Sequence, residues 1–94
     1  MKIEKPHIKL HRIDNQTVLD IDTWELKDII EDYLREKCDI DYEFFQEINP
    51  ELAKTNYESY RLYFAKEYSE NVIADFLKKY SDKELIEIVE FQRA

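Results

Sequence analysis

No glycine occurs anywhere in the 94-residue chain. Every reversal that needs a positive φ must therefore be made by a residue carrying a Cβ, at a steric cost that Asn and Asp bear best. That absence excludes a set of functions. A phosphate-binding P-loop, a dinucleotide fingerprint, a nucleophile elbow and a calcium-binding EF-hand loop each need glycine where the backbone turns sharply or approaches its ligand. It also narrows where the chain can turn. Asp14-Asn15, Asn49-Pro50, Ser69 and Ser81 are the candidates. A domain with few positive-φ positions is expected to hold its surface rigidly.

Residues 7–13 alternate polar and apolar side chains for most of their length, and residues 16–21 are rich in strand formers. With Asp14-Asn15 between them they read as a β-hairpin closed by a two-residue turn. Asp22 or Thr23 can cap the next element, and Asp22 with Glu25 makes an acceptable capping pair. Leu26, Ile29, Ile30, Tyr33 and Leu34 recur at helical spacing, which predicts an amphipathic helix to about Lys37. Ile40, Phe44, Phe45 and Ile48 follow at i, i+4, i+5 and i+8, the pattern of a second, shorter helix. Asn49-Pro50 reads as an N-cap with Pro at the first helical position, opening a helical turn over 50–54.

Tyr57, Tyr60, Tyr63, Phe64 and Tyr68 fall on a helical stripe, although Tyr60 to Phe64 also suits a strand by composition. Ser69 can cap a helix carrying Val72, Ile73, Phe76, Leu77 and Tyr80 on one face. Ser81-Asp82-Lys83-Glu84 is a capping-box pattern ahead of Leu85, Ile88 and Val89. The alternation of Ile86 and Ile88 keeps a strand reading open there. The length suits one domain. The expected fold is therefore an α+β single domain over 1–94, an N-terminal β-hairpin followed by a mainly helical body. In the alternative, 56–68 and 84–92 are strands that join the hairpin in a small antiparallel sheet.

The residues that could carry chemistry are few. His7 and His11 are the only histidines. On one strand they would share a face but stand roughly 13 Å apart, too far for one metal ion. Cys38 has no His or Cys near it in sequence, and the end of a helix opposes a thiolate. It reads as a small half-buried thiol. Among 22 acidic residues paired carboxylates occur throughout and mark no acid–base site. Neither enzyme activity nor a metal or cofactor is expected. A single cysteine, no apolar segment after Met1 to Lys5, and no apolar run near the roughly 18 residues of a membrane span predict a cytoplasmic protein without a membrane partner.

The charge is more informative. Lys and Arg number 14 against 22 Asp and Glu, a net charge of -8. Such an excess repels phosphates, so no direct contact with nucleic acid is expected. A helix-turn-helix over 71–93 is opposed further by Glu84, Glu87 and Glu90 on its second helix. Residues 23–55 hold ten acidic and four basic side chains, so -6 of the net charge lies there. Glu25, Asp28, Asp32 and Glu36 stand at i, i+3, i+7 and i+11, along one flank of the first helix. Asp39, Glu43, Glu47 and Glu51 extend the series at a spacing of four if the chain stays helical past Pro50. Like charges at that spacing repel by a few tenths of a kcal/mol per pair, so a helix built only for stability would mix in lysine. The bland reading of the series is a solvated face. The sharper reading is a preorganised anionic surface, and these eight residues are its candidate partner-binding set. The Tyr-rich stripe is a second candidate surface, weighed below a core position for the same residues.

In general composition, as a small, acidic, glycine-poor and aromatic-rich chain, it resembles proteins with which phages and mobile elements inhibit host defence, anti-CRISPR-like proteins among them. It is also similar to the immunity proteins that block toxin nucleases. The resemblance implies a non-enzymatic inhibitor. Such a protein would occupy the basic nucleic-acid-binding site of a protein partner as a nucleic-acid mimic. The competing expectation is an assembly or regulatory module, whose apolar and Tyr-rich faces drive docking or a homodimer.

Overall fold

Asp14 (φ 50°) and Asn15 (φ 66°) both take the left-handed conformation, so the tightest turn of the chain is made without glycine by the residue types that tolerate it best. The computed structural model describes residues 3–48 and 59–93. The turn joins strands β2 (Ile8–Ile13) and β3 (Gln16–Ile21), paired from Ile13↔Gln16 to Ile8↔Ile21. A short strand, β1 (Ile3–Lys5), runs antiparallel to β2. Between them Pro6 is followed by His7 at φ 67°, which are the demands of a type II turn. His7 Nδ1 donates to Asp22 Oδ2 at 2.9 Å and the Asp22 N–H donates to the His7 carbonyl at 3.1 Å. These two bonds tie the turn to the end of β3. The expectation of His7 and His11 on one strand is thus corrected, because His7 belongs to the turn.

Helix α1 (Trp24–Lys37) begins at Thr23, whose Oγ1 accepts from the Leu26 N–H at 3.2 Å. Thr23 is the cap, because the Asp22 carboxylate is engaged by His7. Asp39 (φ 57°) ends the helix by doing what glycine does at most such positions, and the Ile40 N–H returns to the Leu34 carbonyl at 2.9 Å.

The expected second helix over 40–48 is instead a strand, β4 (Tyr42–Ile48). Its aromatic and β-branched residues suit a pleated surface. The helix-like spacing arose because β4 is apolar on both faces, with Phe45 paired to Leu62 on the helix side and Phe44 and Ile48 paired to Tyr63 and Ser59 on the other. Residues 59–64 also depart from the expected helix and form β5 (Ser59–Phe64), antiparallel to β3 on one side and β4 on the other. Hydrogen-bonding partners on both sides decide the conformation, and Tyr60 and Tyr63 point to opposite faces. The strand alternative is therefore met at 59–64. It is not met at 84–92, which lies in helix α3 (Asp82–Arg93). There the capping box closes both ways, with Glu84 N–H donating to Ser81 Oγ at 3.1 Å and Ser81 N–H to Glu84 Oε1 at 3.4 Å. Helix α2 (Glu70–Leu77) starts at Ser69, as expected. The expected turn at Asn49-Pro50, the helical turn over 50–54, Glu51 and Tyr57 lie outside the described residues.

The result is an α+β fold, a five-stranded antiparallel sheet of order β1-β2-β3-β5-β4 with helices on one face. Ile8, Leu10, Leu19, Ile21, Leu62 and Phe64 line that face. They meet Leu26, Ile30 and Leu34 of α1, Ile73 and Leu77 of α2, and Leu85 and Val89 of α3. Helix α1 lies over β3 and β5, α2 over β2, and α3 against α1. Among the described residues no helix is long and apolar enough to cross a membrane.

Candidate binding surface

Because Leu26, Ile30 and Leu34 point inward, the helical period turns Glu25, Ile29, Asp32 and Glu36 outward in one line, with Asp28 beside it. Glu25, Asp32 and Glu36 are exposed and Asp28 is half-buried. The first four predicted carboxylates are therefore brought together. At about 1.5 Å per residue they span roughly 16 Å, a mean separation of about 5.5 Å between successive charges.

Of the three basic residues of α1, two are drawn into ion pairs away from Glu25, Asp32 and Glu36, while Lys37 lies exposed in the last turn. Lys27 is buried and reaches Asp28 Oδ1 at 3.2 Å and Glu31 Oε2 at 3.4 Å. Burial works against its charge, but Asp28 and Glu31 outweigh burial and raise its pKa. The Arg35 guanidinium bonds Asp41 at 3.3 Å and Glu31 at 3.5 Å. Among the described residues, Glu25, Asp32, Glu36 and Asp39 are left without an ion-pair partner.

The second half of the predicted series does not continue the row. Asp39 sits in the left-handed turn after α1. Glu43 lies at the bulge of β4 and accepts from Gln16 Nε2 at 3.5 Å. Glu47 stands opposite Tyr60, on the helix side of the sheet. A corner of aromatic rings separates β4 from the start of α1. Trp24 meets Tyr60 and Phe45 edge-on at 5.4 and 6.0 Å, and Lys27 Nζ lies 3.9 Å from the Trp24 ring centre. The tyrosine stripe is thereby split, with Tyr60 in this corner and Tyr63 on the other face of the sheet.

That other face carries a polar network. Arg61 grips Asp20 with two hydrogen bonds, 2.6 and 2.9 Å, and His11 Nε2 donates to Asp20 Oδ2 at 2.9 Å. The bond to Asp20 raises the Arg61 pKa further. Tyr63 Oη donates to Gln46 Oε1 at 2.7 Å. Asp20 is held from two strands at once, by the Arg61 guanidinium and by His11, which is the arrangement of a cross-strand clamp. Cys38 is a neighbour of Tyr33, whose phenol pKa is raised by their hydrogen bond. Among the described residues no group of His, Cys, Asp and Glu is arranged to hold a metal ion.

Sequence reasoning missed one part of the surface. Helical spacing places Ile29 and Ile88 in the core, and Ile88 does pack against it while half-buried. Ile29 is 39% exposed and Phe91 is 84% exposed. With Glu87 these three residues line an open groove of about 540 Å³ between α1 and α3. The available signal was that Ile29 is also in register with the acidic row. The chain matches no family model, no curated protein and no solved structure.

Proposed function

We propose that the protein is a non-catalytic inhibitor whose α1 surface occupies the basic, nucleic-acid-binding site of a protein partner, such as a nuclease. The observation that carries this reading is the line of Glu25, Asp32 and Glu36, exposed and without counter-ions among the described residues while Lys27 and Arg35 are tied elsewhere. These three charges are spread over about 16 Å of helix, a mean separation of about 8 Å, a distance over which one strand of B-DNA presents two to three phosphates at roughly 3.4 Å each. The row is thus a sparser line of negative charge than a strand edge, held at fixed positions. Fixed to a packed helix, it needs little reordering on binding, and its field speeds encounter with a cationic groove.

The test is competition. Protein captured on immobilised wild-type chain from its source cell is challenged with single-stranded DNA at moderate salt. DNA should elute the partner, and the triple variant E25Q/D32N/E36Q should fail to capture it. A partner that DNA cannot displace, or that the triple variant still holds at low salt, ends the mimic reading.

A further inference from the structure

The groove between α1 and α3 joins the acidic row without a gap. Ile29 stands between Glu25 and Asp32 on the same line of α1, and on α3 Glu84 and Glu87 precede Ile88 and Phe91. The two helices run antiparallel. Tyr33 packs edge-on against Tyr80, just before α3, while Ile29, one turn earlier in α1, faces Ile88 and Phe91, deeper in α3. An apolar floor thus has carboxylates on both banks. Among the described residues the cations nearby are few. Lys83 pairs loosely with Glu87 at 3.8 Å, and Lys79 lies over the Tyr33 ring at the far end.

Charge decides what fits. A second copy would bring the same carboxylates against these, and anionic lipid or nucleic acid would be repelled in the same way. A helix with an apolar stripe bordered by Lys or Arg would be attracted along both banks and would bury Ile29, Ile88 and Phe91, a known way for a groove to bind a helix. We infer that the α1–α3 groove docks a cationic amphipathic helix of the partner, with an aliphatic or aromatic anchor seated among Ile29, Ile88 and Phe91. This deepens the proposed function and rests on it. The acidic row supplies attraction and the groove supplies the grip.

The probe is a synthetic helical peptide of leucine and lysine with one apolar face. Its controls are the same composition shuffled so that no apolar face forms, and poly-lysine. The amphipathic peptide should bind at least about tenfold more tightly than the shuffled one. Phe91→Ala and Ile29→Ser, both at exposed positions, should each remove about tenfold of that affinity and leave poly-lysine binding unchanged. Equal binding of the two peptides, or indifference to both substitutions, overturns the groove. If E25Q/D32N/E36Q still releases poly-lysine in that case, the electrostatic reading survives alone. If no cationic probe binds at low salt, both readings fall. A doubled mass in light scattering that Phe91→Ala restores to the monomer would instead assign the groove to self-association and overturn the inference.

Discussion

Helix α1 and strand β4 carry carboxylates at the same four-residue spacing, yet only one of them forms a charged surface. On the helix four residues advance about 6 Å and return to the same flank, so Asp32 and Glu36 are neighbours. On an extended strand the same count covers about 13 Å, and Glu43 sits at the register break between Tyr42 and Phe44, outside the regular pairing that places Glu47. The two segments also differ in anchorage. Helix α1 buries Leu26, Ile30 and Leu34 beneath its acidic line, whereas β4 is the last strand of the sheet and exposes Phe44 at 57%. Spacing in sequence becomes charge density in space only where the backbone is helical and held down.

That contrast can be broken first through anchorage. Leu26→Ala, at a site with no exposure, should cost about 2–5 kcal/mol in urea unfolding, while Phe44→Ala should stay within about 0.5 kcal/mol. Comparable losses would mean that the edge strand is packed as firmly as the helix. Next comes binding. Neutralising Glu25, Asp32 and Glu36 should weaken poly-lysine affinity at low salt by about 10- to 100-fold, and neutralising Glu43 and Glu47 by no more than about threefold. Equal effects would show that total charge matters and its arrangement does not.

A smaller effect concerns how α1 starts. Thr23→Ala should lose about 1 kcal/mol by leaving the Leu26 N–H without its acceptor. A neutral outcome by thermal unfolding would return the cap to Asp22. The least of these changes is a gain. Glu36→Lys, in the last turn and four residues after Asp32, replaces a repulsion by an attraction and favours the helix dipole, so stability should rise by about 0.5 kcal/mol. A gain there with weaker poly-lysine binding would mark the row as kept for function at the expense of stability. An unchanged melting curve would say that solvent already screens it.

Much of the helical part of the fold was legible because its signals are local. Ser69, Ser81 with Glu84, and the stripe of α1 each act within one or two turns of chain. The Asp14-Asn15 turn was legible for the same reason. β4 and β5 were not, because they exist through each other and through β3, and no short window contains that pairing. His7 and Asp39 took positive φ where only the neighbouring structure demands it, His7 to meet Asp22 and Asp39 to turn the chain toward Ile40. For the candidate surface, the first four carboxylates could be placed from periodicity. The groove could not, since Ile29 has the spacing of a core residue, and only the position of α3 shows that its outer side is left uncovered.

The sequence alone determined the sign of the surface, the helix caps at Ser69 and Ser81, and the need for Asp and Asn at a turn without glycine, because each depends on side-chain chemistry within a few bonds of the backbone. Tertiary structure decided which acidic residues stand together, which basic ones are withdrawn from them, and which apolar residues remain in water. Those outcomes depend on pairings between distant segments, where strand ladders and buried area outweigh the weaker preferences of any single stretch of chain.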